Sequence, residues 1–101
     1  MTKYNAVRTK LDGYTFASKR EAVRYGELKL ALQAKAISDL NLQVPYSIEI
    51  GGKHICKYIA DFVYTENGQR VVEDCKGFRT DVYKLKKKLV EATYNVTIRE
   101  T

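Results

Sequence analysis

The chain has 101 residues, 45% of them hydrophobic and 30% charged, with a formal net charge of +6. That length allows one domain with a modest core, no apolar run is long enough to span a membrane, and the polar amino end is no signal peptide. A single histidine and two cysteines without metal-ligand spacing exclude a histidine-dependent triad and a zinc site, while the positive charge points to a polyanionic partner. Two unpaired thiols suit a reducing cytosol.

In chain order, a short ribbon or turn is predicted around Asp12-Gly13, followed by a helix over about 18–36. Glu21, Tyr25, Leu28 and Leu32 fall on one helical stripe, at spacings of four, three and four. Ser18-x-x-Glu21 reads as a capping box, with Glu21 reaching back to the Ser18 backbone N–H. The same carboxylate also lies at the end of the face that must pack on a sheet, so it is open to a role beneath the helix. A strand follows over roughly 42–50, where Pro45 marks an edge position or a bulge. Gln43 on that strand is either an alternating solvent-facing residue or a side chain that reaches a cleft to orient water or phosphate.

Gly51-Gly52 turns the chain into the next strand, and Asn67-Gly68 is the strongest local signal for a two-residue hairpin. If Glu66 faces Gln69, then Tyr64 faces Val71, Asp61 faces Asp74, and Ile59 faces Lys76. Cys75 then pairs with Ala60 and projects, like Glu73, to the face opposite Asp74. Two aspartates opposed across a strand pair repel each other and need a reason. A divalent cation with a preference for oxygen ligands is one, with Lys76 polarising water or phosphate beside it. A salt-bridged cluster at a sheet edge, neutralised by Lys76, is the other.

Gly77 ends this strand, and Thr80 caps a second helix running to about 93, before a last strand over 96–98. Val82, Leu85, Leu89 and Ala92 are predicted to form the inward stripe of that helix, which turns Lys84, Lys87 and Lys88 to solvent and lets Lys86 lean toward the cleft. Lys19 and Arg20 near the amino end, together with Arg79, Lys84, Lys86 and Lys87, are candidates for neutralising backbone phosphates. A solvated helix face accounts for most of them equally well.

Several segments carry a family resemblance. They are Phe16-x-Ser18-Lys19-x-Glu21-Ala22-x-x-Tyr25-x-Glu27-Leu28, Tyr58-x-Ala60-Asp61-Phe62-Val63-Tyr64 and Val72-Glu73-Asp74-x-Lys76-Gly77, continued by Thr80-x-x-Tyr83-x-x-Lys86-x-Lys88-Leu89. Together they resemble a family of small phage-encoded proteins within the PD-(D/E)XK nuclease superfamily, over nearly the whole chain. The resemblance implies a single α/β (α+β) domain with a restriction-endonuclease-like core, of order α-β-β-β-α-β, in which helices flank a mixed central sheet. It further implies Mg²⁺-dependent hydrolysis of DNA phosphodiester bonds, with Mn²⁺ able to substitute and no small-molecule cofactor. Glu21, Asp61, Asp74 and Lys76 would form the active-site set, with Glu21, Asp61 and Asp74 as the metal ligands. Two positions depart from the superfamily's commonest form: Ala60 stands where a proline usually precedes the first aspartate, and Asp74 replaces the more usual glutamate. One site per domain makes a homodimer the expectation for cutting two strands, with Holliday junctions or similar branches as substrates in the host-cell cytosol. An endonuclease or nickase without junction preference and a non-catalytic nucleic-acid-binding module are the alternatives.

Overall fold

The computed structural model describes residues 8–75 and 78–101, so the expectations for Lys76 and Gly77 lie outside the described residues. The described residues form strands β1 (Thr9–Leu11) and β2 (Tyr14–Phe16), helix α1 (Lys19–Gln33), strands β3 (Ser38–Ile50), β4 (Lys53–Glu66) and β5 (Gln69–Asp74), helix α2 (Asp81–Tyr94), and strand β6 (Ile98–Glu100). The class is the expected mixture of helix and sheet. β1 and β2 make a small antiparallel ribbon, and the remaining strands make a sheet ordered β3-β4-β5-β6, antiparallel except for the parallel β5–β6 pair. Parallel neighbours need a crossover, which α2 supplies. Among the described residues no helix is long and apolar enough to cross a membrane.

The Asn67-Gly68 turn fixes the β4–β5 register as expected, with Glu66 opposite Gln69 and Tyr64 opposite Val71. Both turn residues have positive φ, 52° and 76°, which a two-residue I′ turn requires and which matches the twist of the strands. A Cβ at Gly68 would meet nothing within 4 Å, so the objection to a side chain there is the backbone conformation alone. Gly68→Ala is expected to lower stability by about 1–2 kcal/mol, read as a lower urea midpoint at unchanged m-value.

Helices pack on the two faces of the sheet. Phe62 and Tyr64 join Phe16, Tyr25, Leu28 and Ile37 beneath α1, while Val63 and Val72 join Ile48, Tyr83, Val90 and Ile98 beneath α2. Along both β3 and β4 the alternation changes face at one level. Leu40 and Leu42 lie with the α1 cluster but Val44 and Tyr46 with the α2 cluster; on β4, Tyr58 and Ala60 lie on the α2 side but Phe62 and Tyr64 on the α1 side. A regular strand cannot do this, because its side chains alternate with period two. The change falls at Gln43, whose φ is 54°, and at Asp61, which the flanking pairs Leu42↔Phe62 and Val44↔Ala60 place directly across from it. The left-handed Gln43 lets β3 serve both helices, and irregular sheet positions of this kind are over-represented beside active sites.

Four expectations need correction. α1 ends at Gln33 rather than near 36, because Lys35 adopts φ 62° and closes a Schellman motif through Lys35 N–H to Leu32 O (3.1 Å) and Ala36 N–H to Ala31 O (2.9 Å). Leu32, placed on the buried stripe by its spacing, is correspondingly 39% exposed. β3 begins at Ser38, four residues early, through an irregularity between Ser38 and Asn41. α2 is rotated from the expected stripe: Tyr83 and Val90 are buried, whereas Val82 and Leu85 are 63% and 58% exposed. The large ring of Tyr83 settles the inward face, and the stems of Lys86 and Lys87 cover its half-buried flank. The last strand lies at Ile98–Glu100 instead of 96–98, since Asn95 ends α2 in the left-handed region and Glu91 Oε2 accepts the Ile98 N–H at 2.8 Å.

Candidate active site

The β4–β5 register ends its regular pairing at Phe62↔Glu73, and one step further along the hairpin come Asp61 and Asp74. Asp61 and Asp74 lie within reach of a hydrogen bond between their carboxyl groups, an arrangement that two bare carboxylates disfavour. Burial, then this hydrogen bond and the charge of Asp74, push the Asp61 carboxyl up to about 8, with Glu21 adding to the rise. The Cys75 backbone N–H, donating to Asp61 Oδ2 at 2.8 Å, opposes the shift. Asp74 is fully buried, and its Oδ2 accepts a hydrogen bond from the buried Tyr58 hydroxyl. Burial and that acidic partner hold the Tyr58 hydroxyl well above its ordinary range.

Glu21 reaches the same place from α1. Its backbone N–H donates to the Ser18 Oγ at 3.2 Å, so serine caps the helix. The Glu21 side chain is buried and lines a cleft of about 520 Å³ together with Asp61, Gln43 and Ile59. The serine half of the expected capping box is thus present, through the Glu21 amide, and the Glu21 side chain lies at the cleft. The β1–β2 ribbon forms the opposite wall through Thr15 and Phe16, and Gln43 Nε2 donates to the Thr15 carbonyl at 3.5 Å. Arg8 also lines the cleft and is exposed.

The structure thus brings Glu21, Asp61, Asp74 and Gln43 to one region, with Lys76 outside the described residues. These donors are hard oxygens, suited to Mg²⁺ or Mn²⁺, and a cation beside them would offset the repulsion that raises the Asp61 carboxyl. Among the described residues, no group of three His, Cys, Asp or Glu side chains is already gathered at ligand spacing. Asp61 and Asp74 lie together, and Glu21 is the acid near enough to act on Asp61 by its charge.

The basic residues named from sequence are dispersed around this centre. Lys19 and Arg20 open α1 and are exposed, with Arg20 Nε directed to the Thr101 carbonyl at 3.4 Å. Lys84 is exposed on α2, and Lys86 Nζ donates to the Lys57 carbonyl at 3.1 Å. Arg79 and Lys87 both pair with Glu100, at 3.3 and 3.7 Å. Sequence reasoning missed Tyr58 as the partner of Asp74 and the ribbon as a cleft wall. Tyr58 is three residues before Asp61, a spacing that places it on the site only once the change of face at Asp61 is known. Three-residue strands such as β1 and β2 are too short to show periodicity.

On the opposite face of β5, Glu73 is fully buried and accepts from Arg24 Nε at 2.6 Å and Arg24 Nη2 at 2.9 Å, from the Tyr64 hydroxyl at 2.6 Å and from the Thr101 hydroxyl at 3.1 Å. This network ties α1, β4 and β5 together and fixes the strand that carries Asp74. Glu73 was expected to face away from the acid pair, and it does.

No curated protein matches the chain. The profile of the family described as "Protein of unknown function (DUF1064)" matches residues 1–100, and the chain belongs to that family.

Proposed function

We propose that the protein is a metal-dependent DNA endonuclease built on a restriction-endonuclease-like core, formed by α1, β3, β4, β5, α2 and β6, to which the β1–β2 ribbon adds a cleft wall. The observation that supports this best is the Asp61–Asp74 pair, two facing acids of which Asp61 lines a cleft together with Glu21. Such a pair is stable only with a proton or a cation between its members.

Asp61 and Asp74 would hold Mg²⁺, with Glu21 completing the set directly or through water. When bound, the cation supplies a lowered water pKa and charge for the scissile phosphate. The chain's own groups prepare the site. The Tyr58 hydroxyl fixes Asp74 Oδ2 and the Cys75 N–H fixes Asp61 Oδ2, and Asp61 lines the cleft. Gln43 stands across from Asp61, where its amide can orient water or a phosphate oxygen. Lys76, by its resemblance-based role, places the attacking water and stabilises the growing negative charge. Lys19, Arg20, Lys84 and Lys86 offer cations to the flanking backbone. A single domain carries one acid pair, so cutting both strands of a branch requires two copies.

Digestion of a labelled panel (four-way junction, matched linear duplex, single strand) in Mg²⁺ is the test, with Asp74→Ala alongside. The wild-type protein should cut, Mn²⁺ should also support cutting, and Asp74→Ala should lose about 10²-fold or more. Faster cutting of the junction than of linear duplex supports branch selectivity; equal rates favour a general endonuclease. Equal cutting by both proteins would sink the assignment. Binding without cleavage, unchanged by Asp61→Ala, would leave a nucleic-acid-binding module.

A further inference from the structure

Beside the acid cleft, and sharing Ile59 with it as a wall, lies a second hollow of about 470 Å³. Its lining is aromatic and aliphatic. Tyr58 and Tyr83 are buried with ring centroids 6.4 Å apart, while Ile59 and Val82 are 47% and 63% exposed. Lys57 and Lys86 also line it, and neither takes part in an ion pair recorded among the described residues. Exposed apolar side chains beside unneutralised ammonium groups complement a ligand with a flat apolar face and an anionic tether, which describes a nucleotide. A base inside a duplex has both faces covered, so only one that has left the stack can use such a surface. The hollow is also joined to the chemistry, because Tyr58, which forms part of its lining, donates its hydroxyl proton to Asp74.

We propose that this hollow receives an unpaired, unstacked nucleobase of the DNA strand whose backbone passes the acid pair, with Lys57 and Lys86 meeting the flanking phosphates. The proposal rests on the nuclease reading and narrows its substrate to DNA with an unpaired nucleotide beside the scissile phosphate. A fully paired duplex fills the acid cleft but leaves the hollow without a partner.

The test is binding without divalent metal, so that affinity is read apart from cleavage. Duplexes bearing one unpaired 2-aminopurine, and the same duplex fully paired, are titrated by anisotropy and by 2-aminopurine fluorescence. The wild-type protein should prefer the bulged duplex by about tenfold. Val82→Ser and Lys86→Ala should each remove most of that preference. Leu30→Ser, at a residue 67% exposed on α1, should leave it unchanged. Equal affinity for the two duplexes, or full preference retained in Val82→Ser, overturns the proposal. So does a Val82→Ser protein that keeps the preference but sediments at a lower mass, which assigns the surface to a second copy of the chain. Mg²⁺-dependent cutting with no bulge preference overturns the hollow and leaves the nuclease reading standing. A Val82-dependent preference with no cutting of any substrate supports the hollow and overturns the nuclease.

Discussion

Asp61→Asn is expected to give a protein that is more stable at pH 8 than the wild type and has lost Mg²⁺-dependent cleavage. Burial and the neighbouring Asp74 raise the folded-state pKa of Asp61 from an ordinary 3.8 to about 8. A carboxyl raised in this way contributes its full stability below the unfolded value and loses it as pH climbs through the folded one. Stability of the metal-free protein should therefore fall between about pH 4 and 8. The asparagine amide carries no charge, can accept the Cys75 N–H and can donate to Asp74, so this part of the pH slope should vanish. At about 1.4 kcal/mol per unit of pKa, and with Asp61 only half-buried, the gain at pH 8 should be about 2–4 kcal/mol. Urea midpoints at pH 4.5, 6 and 8 measure it, and parallel curves for the two proteins would refute it. Added Mg²⁺ should raise the melting temperature of the wild type at pH 8 and leave that of the variant unmoved, a readout independent of any substrate.

Arg24→Ala should have the largest effect on stability. It would leave the Glu73 carboxylate, which has no solvent exposure, without the two guanidinium hydrogen bonds it now accepts. Removing one partner of a buried pair costs about 3–5 kcal/mol, against a total of about 5–15 kcal/mol for a typical domain. The variant should be partly unfolded at 37 °C. Glu73→Gln on the Arg24→Ala background removes the stranded charge and should recover part of the loss, as a double-mutant cycle would show. A cycle with no coupling would mean that the pair is not the source of the cost. Burial alone would raise the Glu73 carboxyl; Arg24, Tyr64 and Thr101 more than offset it and hold the group below its ordinary 4.5. Its contribution is accordingly present above that unfolded value and fades as pH falls through the lower folded one. Asp61 and Glu73, neighbours across two strands, thus pull stability in opposite directions with pH, and the metal-free protein should be most stable in mild acid.

How far the sequence reveals this arrangement depends on the kind of signal. Asn67-Gly68 demands one backbone geometry, and the register that follows carries Asp61 to Asp74 without further information. Ser18 and Thr80 state their caps in a few residues. On α2, Leu89 packs against the core as its spacing implies, but Val82 and Leu85 do not, because Tyr83 outweighs them for the inward face and lysine stems cover what remains. Lys35, Gln43 and Asn95 all take left-handed conformations, and only asparagine advertises that tendency. The end of α1 and the change of face at Gln43 were invisible for that reason. The link from Tyr58 to Asp74 depends on the same change of face and stayed hidden with it.

The long outer strand β3 also bears on how two copies can meet. It lies at one border of the sheet, where a row of free backbone groups ordinarily invites another chain to extend the ladder. Pro45 removes one donor from that row, and the breaks near Ser38 and between Ile48 and Glu49 spoil its spacing. A continuous intermolecular sheet is thereby discouraged. Self-association, if the chemistry calls for it, is left to helix surfaces and side chains.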